Sequence, residues 1–129
     1  MSELRRLLVV AAAIVAPAIC AAGSKPDVEN GKATFKTVCN VCHSVQKTGG
    51  PNQGPNLLGV VGRKAGSQPE FAMYSAALKA SNIVWSTKAL DKFLMDPMAK
   101  VPGTLMPIQI ADDKTRADVV AYLATLKKE

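Results

Sequence analysis

The hydrophobic and polar positions of the chain follow patterns typical of short amphipathic helices separated by loops. Asp27 can N-cap a helix over residues 28–38, in which Gly31, Phe35 and Val38 share one face. Glycine within a helix costs roughly 1 kcal/mol relative to alanine. We therefore expect a second helix to cross closely at Gly31, the alternative being that this glycine marks a weak helix start.

Two more helices are predicted after a loop over residues 48–66, whose glycines and prolines cannot continue a helix. A short helix follows Ser75. Ser86 caps another over residues 87–95, and the pair at 96–97, Asp-Pro, ends it. The apolar face of the second of these helices consists of Leu90, Phe93 and Leu94.

The last helix is predicted to begin at Asp112 and to run to about residue 127, after an irregular stretch over residues 100–107. Its buried side consists of Val119, Val120, Tyr122, Leu123 and Leu126. No stretch alternates between apolar and polar residues as a strand does. The pattern therefore predicts an all-α fold.

Composition limits the chain to one small domain of 129 residues, with only 5% aromatic residues to build a core. A large apolar cofactor would complete such a thin core. The formal charge of +6 indicates attraction to acidic protein surfaces or to anionic lipid. The alternative is that this charge only keeps the protein soluble. The absence of a basic run with interleaved aromatics argues against nucleic acid.

Residues 1–22 have the pattern of a secretory signal peptide, with two arginines at positions 5–6 and an apolar stretch over 7–19. Cleavage near Ala22 would release a periplasmic domain of residues 23–129 with a charge of about +5. The apolar stretch is short for a membrane span of about 20 residues, which disfavours an uncleaved anchor. Lipidation at Cys20 is disfavoured because Ile19 is not the small residue that such a site prefers.

The chemistry of the chain centres on Cys39-Asn40-Val41-Cys42-His43, a C-x-x-C-H run that is the signature of covalent haem c attachment. The two thiols can form thioethers with one haem, and His43 can then bind its iron. A structural zinc site needs four Cys or His ligands, more than the mature chain offers. A thioredoxin-like pair would adjoin a β-α-β pattern, which is missing here.

Residues further along the chain are candidates to surround this haem. The Pro55 carbonyl can accept the free N–H of His43, which would fix the imidazole and raise its basicity. Arg63 is a candidate partner for a buried propionate or else a surface cation, and Trp85 is either a propionate donor or a packing residue. Apolar cover for the haem is expected from Leu57, Leu58, Val60 and Val61.

The sixth iron ligand must come from a residue other than histidine, because His43 is the only one. Met106 is the best candidate, since Pro102 and Pro107 restrict the backbone on either side of it. Met98, in another breaker-rich stretch, is the runner-up, and Met73 and Met95 are expected to pack. A neutral thioether favours Fe(II) and raises the reduction potential, and filled axial positions favour electron transfer over substrate chemistry.

Taken together, these motifs resemble class I cytochrome c, in particular the small mitochondrial and bacterial c2-like branch, over nearly all of the mature chain. The resemblance rests on Gly31-Lys32-x-x-Phe35, Cys39-x-x-Cys42-His43, Gly54-Pro55-Asn56-Leu57, Gly62-Arg63-Lys64, Tyr74-Ser75, Trp85, Pro102-Gly103-Thr104-x-Met106 and Ala121-Tyr122-Leu123. It implies the small cytochrome c fold, with the first and last helices crossing near Gly31 and Tyr122 and all helices packed around one covalent haem.

The resemblance also implies the site. His43 and Met106 would be the axial ligands, Cys39 and Cys42 the thioethers, and the Pro55 carbonyl would bond His43. Residues expected around the propionates are Arg63, Tyr74 and Trp85, with Thr104 near the inner propionate.

Three departures from the family pattern change the expectations. Phe93 stands where many relatives have a tyrosine beside the methionine ligand, and Leu78 or a neighbour replaces a common asparagine. The apolar change at Leu78 should raise the potential further. Where lysine frequently rings the haem edge, this chain has Val38, Met98, Ala99 and Leu105.

The leading hypothesis is a monomeric periplasmic one-electron carrier that docks by its exposed haem edge to a reductase and then to an oxidase. It would shuttle electrons between respiratory or dehydrogenase partners and a terminal acceptor. It would contact a membrane only through those partners. The apolar edge motivates a second hypothesis, a tightly bound electron-transfer subunit of a larger dehydrogenase or oxidase. A peroxidase or gas-binding protein would require loss of the methionine bond.

Overall fold

The protein is described by a computed structural model over residues 23–48, 50 and 52–128. The leader predicted over residues 1–22, and the loop residues Gly49 and Pro51, lie outside the described residues. The helical elements of the described part are α1 Val28–Thr34, a π-helical turn Phe35–Cys39, α2 Ala76–Ala80, α3 Thr87–Met95, α4 Pro97–Lys100 and α5 Asp113–Thr125. This part contains one isolated antiparallel bridge, between Lys64 and Val84, and no longer strand, so the all-α prediction is confirmed.

Side-chain caps begin the helices where the sequence predicts them. Asp27 accepts the backbone N–H of Glu29 and Asn30 at the start of α1. Ser75, Ser86 and Asp112 accept backbone N–H groups in the same way at the starts of α2, α3 and α5. Each cap satisfies donors that the first helical turn cannot pair internally.

The ends of α1 and α3 differ from the sequence prediction. The helix expected over residues 28–38 changes at Phe35 into a π-helical turn, in which the Asn40 N–H donates to the Phe35 carbonyl at 2.9 Å. The wider turn shifts the helical phase, so Val38 is 39% exposed instead of sharing the buried face. Asp96 and Pro97 end α3 as expected, but they also cap and begin α4, which was not predicted.

The first and last helices cross at Gly31, as predicted. A Cβ at this position would overlap the backbone carbonyl of Asp118 and lie 3.0 Å from the Val119 nitrogen. One turn further along, the rings of Phe35 and Tyr122 meet with centroids 5.5 Å apart. The absence of a side chain at Gly31 therefore allows α1 and α5 to approach closely.

A buried carboxylate adds polar links to this crossing. Asp118 is 0% exposed, and it accepts the backbone N–H of Asp27 at 2.7 Å and the side-chain amide of Asn30 at 2.7 Å. Lys114 donates to both of its oxygens, at 2.6 and 2.7 Å. The Lys114 hydrogen bond, followed by those from Asp27 and Asn30, lowers the pKa of Asp118 from 3.8 to about 2.

This carboxylate predicts an acid sensitivity. Because the pKa of Asp118 is lower in the folded chain than in the unfolded chain, its contribution to stability is fully present above pH 3.8 and is lost as the pH falls toward about 2. We expect the urea midpoint of the haem-loaded protein to fall across that window, and Asp118→Asn to remove part of this pH dependence. Glu29→Gln, a charge change on an exposed residue of α1, is the control. Equal pH dependence in all three proteins would contradict the prediction.

A second buried charge joins α5 to α3. The Arg116 guanidinium donates to Asp91 at 2.7 Å and Asp113 at 2.6 Å, and to the carbonyls of Ile110 and Ala111. The two charged residues buried on α5, Arg116 and Asp118, were not predicted, because charged residues in a sequence are usually exposed.

Among the described residues, no helix is both long and apolar enough to cross a membrane.

Candidate functional site

The two cysteines and the histidine of the C-x-x-C-H run lie on one tight turn. The N–H groups of Cys42 and His43 both donate to the carbonyl of Cys39, at 3.0 and 2.9 Å. This turn continues directly from the π-helical turn that ends α1. Neither Cys39 nor Cys42 forms a disulfide. The local backbone thus presents two sulfurs and an imidazole within a single turn.

Burial keeps Cys39 in its neutral form. Desolvation, with a smaller contribution from the neighbouring Cys42, raises the pKa of the Cys39 thiol from 9.0 to about 11. A thiolate would be the nucleophilic and metal-binding form. This shift concerns the thiol before haem attachment, because a thioether sulfur has no proton to lose.

His43 is held by the loop that follows it. Its Nδ1 lies 2.8 Å from the Pro55 carbonyl oxygen, as expected from the sequence. Because a carbonyl can only accept, Nδ1 carries the proton and Nε2 keeps its lone pair for a metal. Burial lowers the pKa of His43, and the positive charge of Arg63 lowers it further. The hydrogen bond to Pro55 acts in the opposite direction. The imidazole is thus kept in its neutral, ligating form.

Gly54 makes room for this imidazole. A Cβ at position 54 would overlap the Cε1 atom of His43 and lie 2.7 Å from Nδ1. The loop backbone therefore passes against the ring itself. Gly54 and Pro55 together set the position and the orientation of the histidine.

One cavity brings the predicted residues together. Its volume is about 460 Å³, within the range of roughly 300–1,000 Å³ that small-molecule and cofactor sites occupy. All nine residues expected at the site line it, namely Cys39, Cys42, His43, Pro55, Arg63, Tyr74, Trp85, Thr104 and Met106. Residues separated by up to 67 positions in sequence thus converge on one apolar space.

Met106 lines the cavity and Met98 does not. Met98 lies on α4, with 52% of its surface exposed. The Met106 segment is ordered by a turn in which the Thr104 N–H donates to the Val101 carbonyl at 3.0 Å. Gly103 has a φ of +92° in this turn, a conformation that glycine adopts readily. Of the two ligand candidates, the geometry favours Met106.

Thr104 contributes directly to the same turn. Its hydroxyl oxygen accepts the N–H of Met106 at 3.3 Å, and its side chain is buried. Since the oxygen is the acceptor in this contact, the hydroxyl hydrogen stays available to another acceptor. Thr104 thus restrains Met106 while keeping one donor for a ligand.

The polar side of the cavity contains Arg63 and Tyr74. Burial lowers the pKa of Arg63, while Tyr74 and Glu70 oppose that shift. Burial raises the pKa of Tyr74, and the backbone of Gln68 and the charge of Arg63 oppose the rise. A guanidinium and a phenol at the wall of an otherwise apolar cavity suit a ligand with anionic substituents.

The apolar side contains the residues that depart from the family pattern. Phe93 is buried and packs against Trp85 with ring centroids 5.0 Å apart. It offers no hydroxyl to the Met106 region. Leu78 also lines the cavity. Phe71 lines it as well and contacts Tyr74 edge-on at 4.9 Å; this contact was not predicted.

The cover expected from four apolar residues is only half correct. Leu57 and Val60 line the cavity, but Leu58 and Val61 do not. Leu58 lines a separate polar cleft and Val61 packs against the core. The chain turns in this segment, with the Val60 N–H donating to the Leu57 carbonyl, so the four residues cannot all face one side.

The four apolar residues that stand at positions where the resemblance leads us to expect lysine are all exposed. Leu105 is 73% exposed, and Val38, Met98 and Ala99 are also exposed. Leu105 lines the cavity, as do the exposed residues Met73 and Ile108. Among the described residues that line the cavity, Arg63 is the only charged one. The opening is thus bordered by apolar and uncharged side chains.

The residues present fit a covalently bound haem. Two thiols and a neutral imidazole share the cavity with a thioether, and the remaining walls are largely apolar. Imidazole and thioether are a known axial pair for haem iron, and Cys-x-x-Cys-His is its attachment motif. The cationic and phenolic side chains provide partners for propionates.

Comparison with known proteins agrees with this fit. The family model described as "Cytochrome c" matches residues 28–127. Cytochrome c2 from Rhodomicrobium vannielii is 42% identical over 126 residues, covering 97% of this chain and 97% of the relative. Cytochrome c2 from Rhodopila globiformis is 46% identical over 109 residues, covering 81% of this chain and all of the relative.

Solved structures give the same result. Cytochrome cH from Methylobacterium extorquens is 42% identical with a TM-score of 0.68, covering 77% of this chain and 98% of its own. Cytochrome c2 from Rhodospirillum centenum is 32% identical with a TM-score of 0.74, covering 79% and 99%.

Proposed function

The chain belongs to the cytochrome c family, and from that premise we propose that it is a periplasmic one-electron carrier whose haem iron is held by His43 and Met106. It is a class I, c2-like member with one haem c attached covalently through Cys39 and Cys42. Members of this family are electron carriers and not enzymes, and their partners are redox proteins.

The ligand proposal depends on one observation. Met106 shares a cavity with the attachment motif, while Met98, the other candidate, is absent from the residues that line it. Met73, which was expected to pack, also lines the cavity, but it is 61% exposed, whereas Met106 is partly buried. The hydrogen bond from Met106 N–H to Thr104 supports a defined backbone at the ligand. A weak thioether bond requires such a restraint, because the bond alone cannot order a flexible loop.

The residues around the cavity would favour the reduced state. When bound, the haem supplies an iron that alternates between the ferrous and ferric states. Met106 offers a neutral thioether and Leu78 an apolar wall, and both disfavour the additional positive charge of the ferric state. Pro55 opposes them, because its hydrogen bond makes His43 a more basic ligand. Arg63, Tyr74, Trp85 and Thr104 would hold the propionates.

Export is proposed from the leader pattern over residues 1–22, with cleavage near Ala22 and a carrier domain over residues 23–129. The match to the Rhodomicrobium vannielii relative covers 97% of the chain, so it extends into the segment before Gly23. In bacteria, haem c is attached on the outer side of the inner membrane. Both points support a periplasmic location.

Partner docking is proposed at the cavity opening, where Met73, Leu105 and Ile108 are exposed. Docking there would bring a partner close to the haem edge. The same apolar residues favour a second candidate, a tightly bound electron-transfer subunit of a dehydrogenase or oxidase, because stable interfaces have apolar cores. A free monomeric carrier is the first proposal, since the residues lining the cavity alone offer little area for a permanent interface.

Size-exclusion chromatography of a periplasmic extract, followed by intact mass spectrometry, tests these proposals together. We expect a red protein that elutes as a small monomer, with the mass of residues 23–129 plus one haem. Elution with a large complex would favour the second candidate. A mass that includes the leader, or haem protein found only in the membrane fraction, would contradict export with cleavage.

A further inference from the structure

The guanidinium of Arg63 donates hydrogen bonds to three acceptors. Its Nη2 donates to the Asn56 carbonyl at 2.8 Å, and its Nη1 donates to the Gln68 side-chain oxygen at 2.9 Å and to the Leu58 carbonyl at 3.4 Å. A guanidinium has five N–H donors. These contacts use three of them, which leaves two donors for a group in the cavity that Arg63 lines.

The side-chain amide of Gln68 links Arg63 to the carboxylate of Glu70. Its side-chain nitrogen donates to Glu70 Oε2 at 2.7 Å, while its oxygen accepts from Arg63. Since a guanidinium can only donate and an ionised carboxylate can only accept, one orientation of the amide satisfies both neighbours. Gln68 is only 7% exposed, so this orientation is maintained in a buried setting.

The last of these three hydrogen-bonded side chains is exposed to solvent. Glu70 is exposed and lines a polar cleft of about 220 Å³ together with Gln68, Lys47 and Lys128. Arg63 borders the cofactor cavity, and Gln68 borders the cleft. A hydrogen-bonded series of three side chains therefore connects the cavity wall to the surface.

We propose that Gln68 and Glu70 are positioning residues for Arg63, and that the charge of Glu70 tunes the reduction potential of the haem through Gln68. The inference rests on the proposed function, because it requires an electron-carrying haem in the cavity. The positive charge of Arg63 disfavours the ferric state. Glu70 offsets part of that charge through an oriented, buried amide, and so lowers the potential.

Potentiometric titration of the purified haem protein at neutral pH and fixed salt tests the inference. We expect Glu70→Gln to raise the potential, with about a threefold change in the electron-transfer equilibrium constant, which is about 28 mV at 59 mV per tenfold. The effect is modest because Glu70 is exposed. Glu29→Gln removes the same charge from α1, away from Gln68, and is expected to shift the potential much less.

A double-mutant cycle separates the route through Gln68 from a simple charge effect. Gln68→Met keeps an unbranched side chain but removes both hydrogen bonds, so Glu70→Gln should then add less than half of its original shift. An equal shift in both backgrounds would overturn the role of Gln68. If Gln68→Met fails to fold, Gln68→Leu takes its place in the cycle, and an equal Glu70→Gln shift with and without the amide would overturn the proposal.

Failure of the inference is distinguishable from failure of the proposed function. A native protein without a methionine–iron absorption band would contradict the ligand proposal, whatever the variants do. A native spectrum that is retained in every variant, with potentials that do not move, would contradict only the link through Gln68 and Glu70.

Discussion

Replacing Met106 by alanine is expected to abolish the methionine–iron absorption band and to lower the reduction potential by roughly 0.2 V, a quarter of the about 0.8 V that axial ligands span. The thioether is the proposed sixth ligand, and its loss removes the neutral, soft donor that favours Fe(II). The remaining site would also bind cyanide or CO readily. Absorption spectra and potentiometry of the purified protein measure all three effects.

Met98→Ala is the matched control for this substitution. Met98 is exposed on α4 and does not line the cavity, so its removal should leave the band and the potential unchanged. The opposite outcome, in which Met98→Ala loses the band and Met106→Ala retains it, would make Met98 the ligand. A band retained in both variants would leave neither residue as the ligand.

Replacing Gly31 by alanine is expected to destabilise the protein by about 2 kcal/mol, although alanine is the better helix former. Alanine gains roughly 1 kcal/mol of helix propensity over glycine. Against this, a Cβ at position 31 would overlap the backbone carbonyl of Asp118. Overpacking of a close contact costs up to about 3 kcal/mol, and a backbone partner cannot turn aside as a side chain can. The helices must separate, so the steric cost exceeds the gain.

Urea unfolding of the haem-loaded protein measures this loss of stability, with Gly50→Ala as the control. A Cβ at Gly50 would meet no atom within 4 Å, so that variant should unfold close to the midpoint of the native protein. Gly31→Val should be less stable than Gly31→Ala. An unchanged or higher midpoint for Gly31→Ala would show that α1 and α5 are further apart than the structure places them.

Local chemistry explains why most helix boundaries could be predicted. Asp27, Ser75, Ser86 and Asp112 cap helices because their short side chains reach nearby N–H groups, and this depends only on neighbouring residues. The end of α5 was less accurate. It was expected near residue 127 but lies at Thr125, because Leu126 adopts an extended conformation, with ψ at 91°, and its N–H donates to the Leu123 carbonyl three residues back.

Prediction from local pattern also failed where the same residues end one helix and begin the next. Asp96 and Pro97 are a stop signal for α3, yet Asp96 accepts the N–H of Ala99 and starts α4. Proline is well suited to the first turn of a helix. The π-helical turn Phe35–Cys39 likewise gave no recognisable signal in the sequence.

The spacing of Cys39, Cys42 and His43 by itself determined the cofactor, because covalent haem chemistry needs two thiols and an imidazole on one turn. Only the tertiary structure decided which distant residues serve that site. It placed Met106 and not Met98 at the cavity, and joined Arg63 to Gln68 and Glu70. It also buried Asp118 at the crossing of two helices, where Gly31 admits the opposing backbone. Short-range chemistry is encoded in neighbouring residues, whereas burial and long-range pairing arise only when the folded chain brings separate segments together.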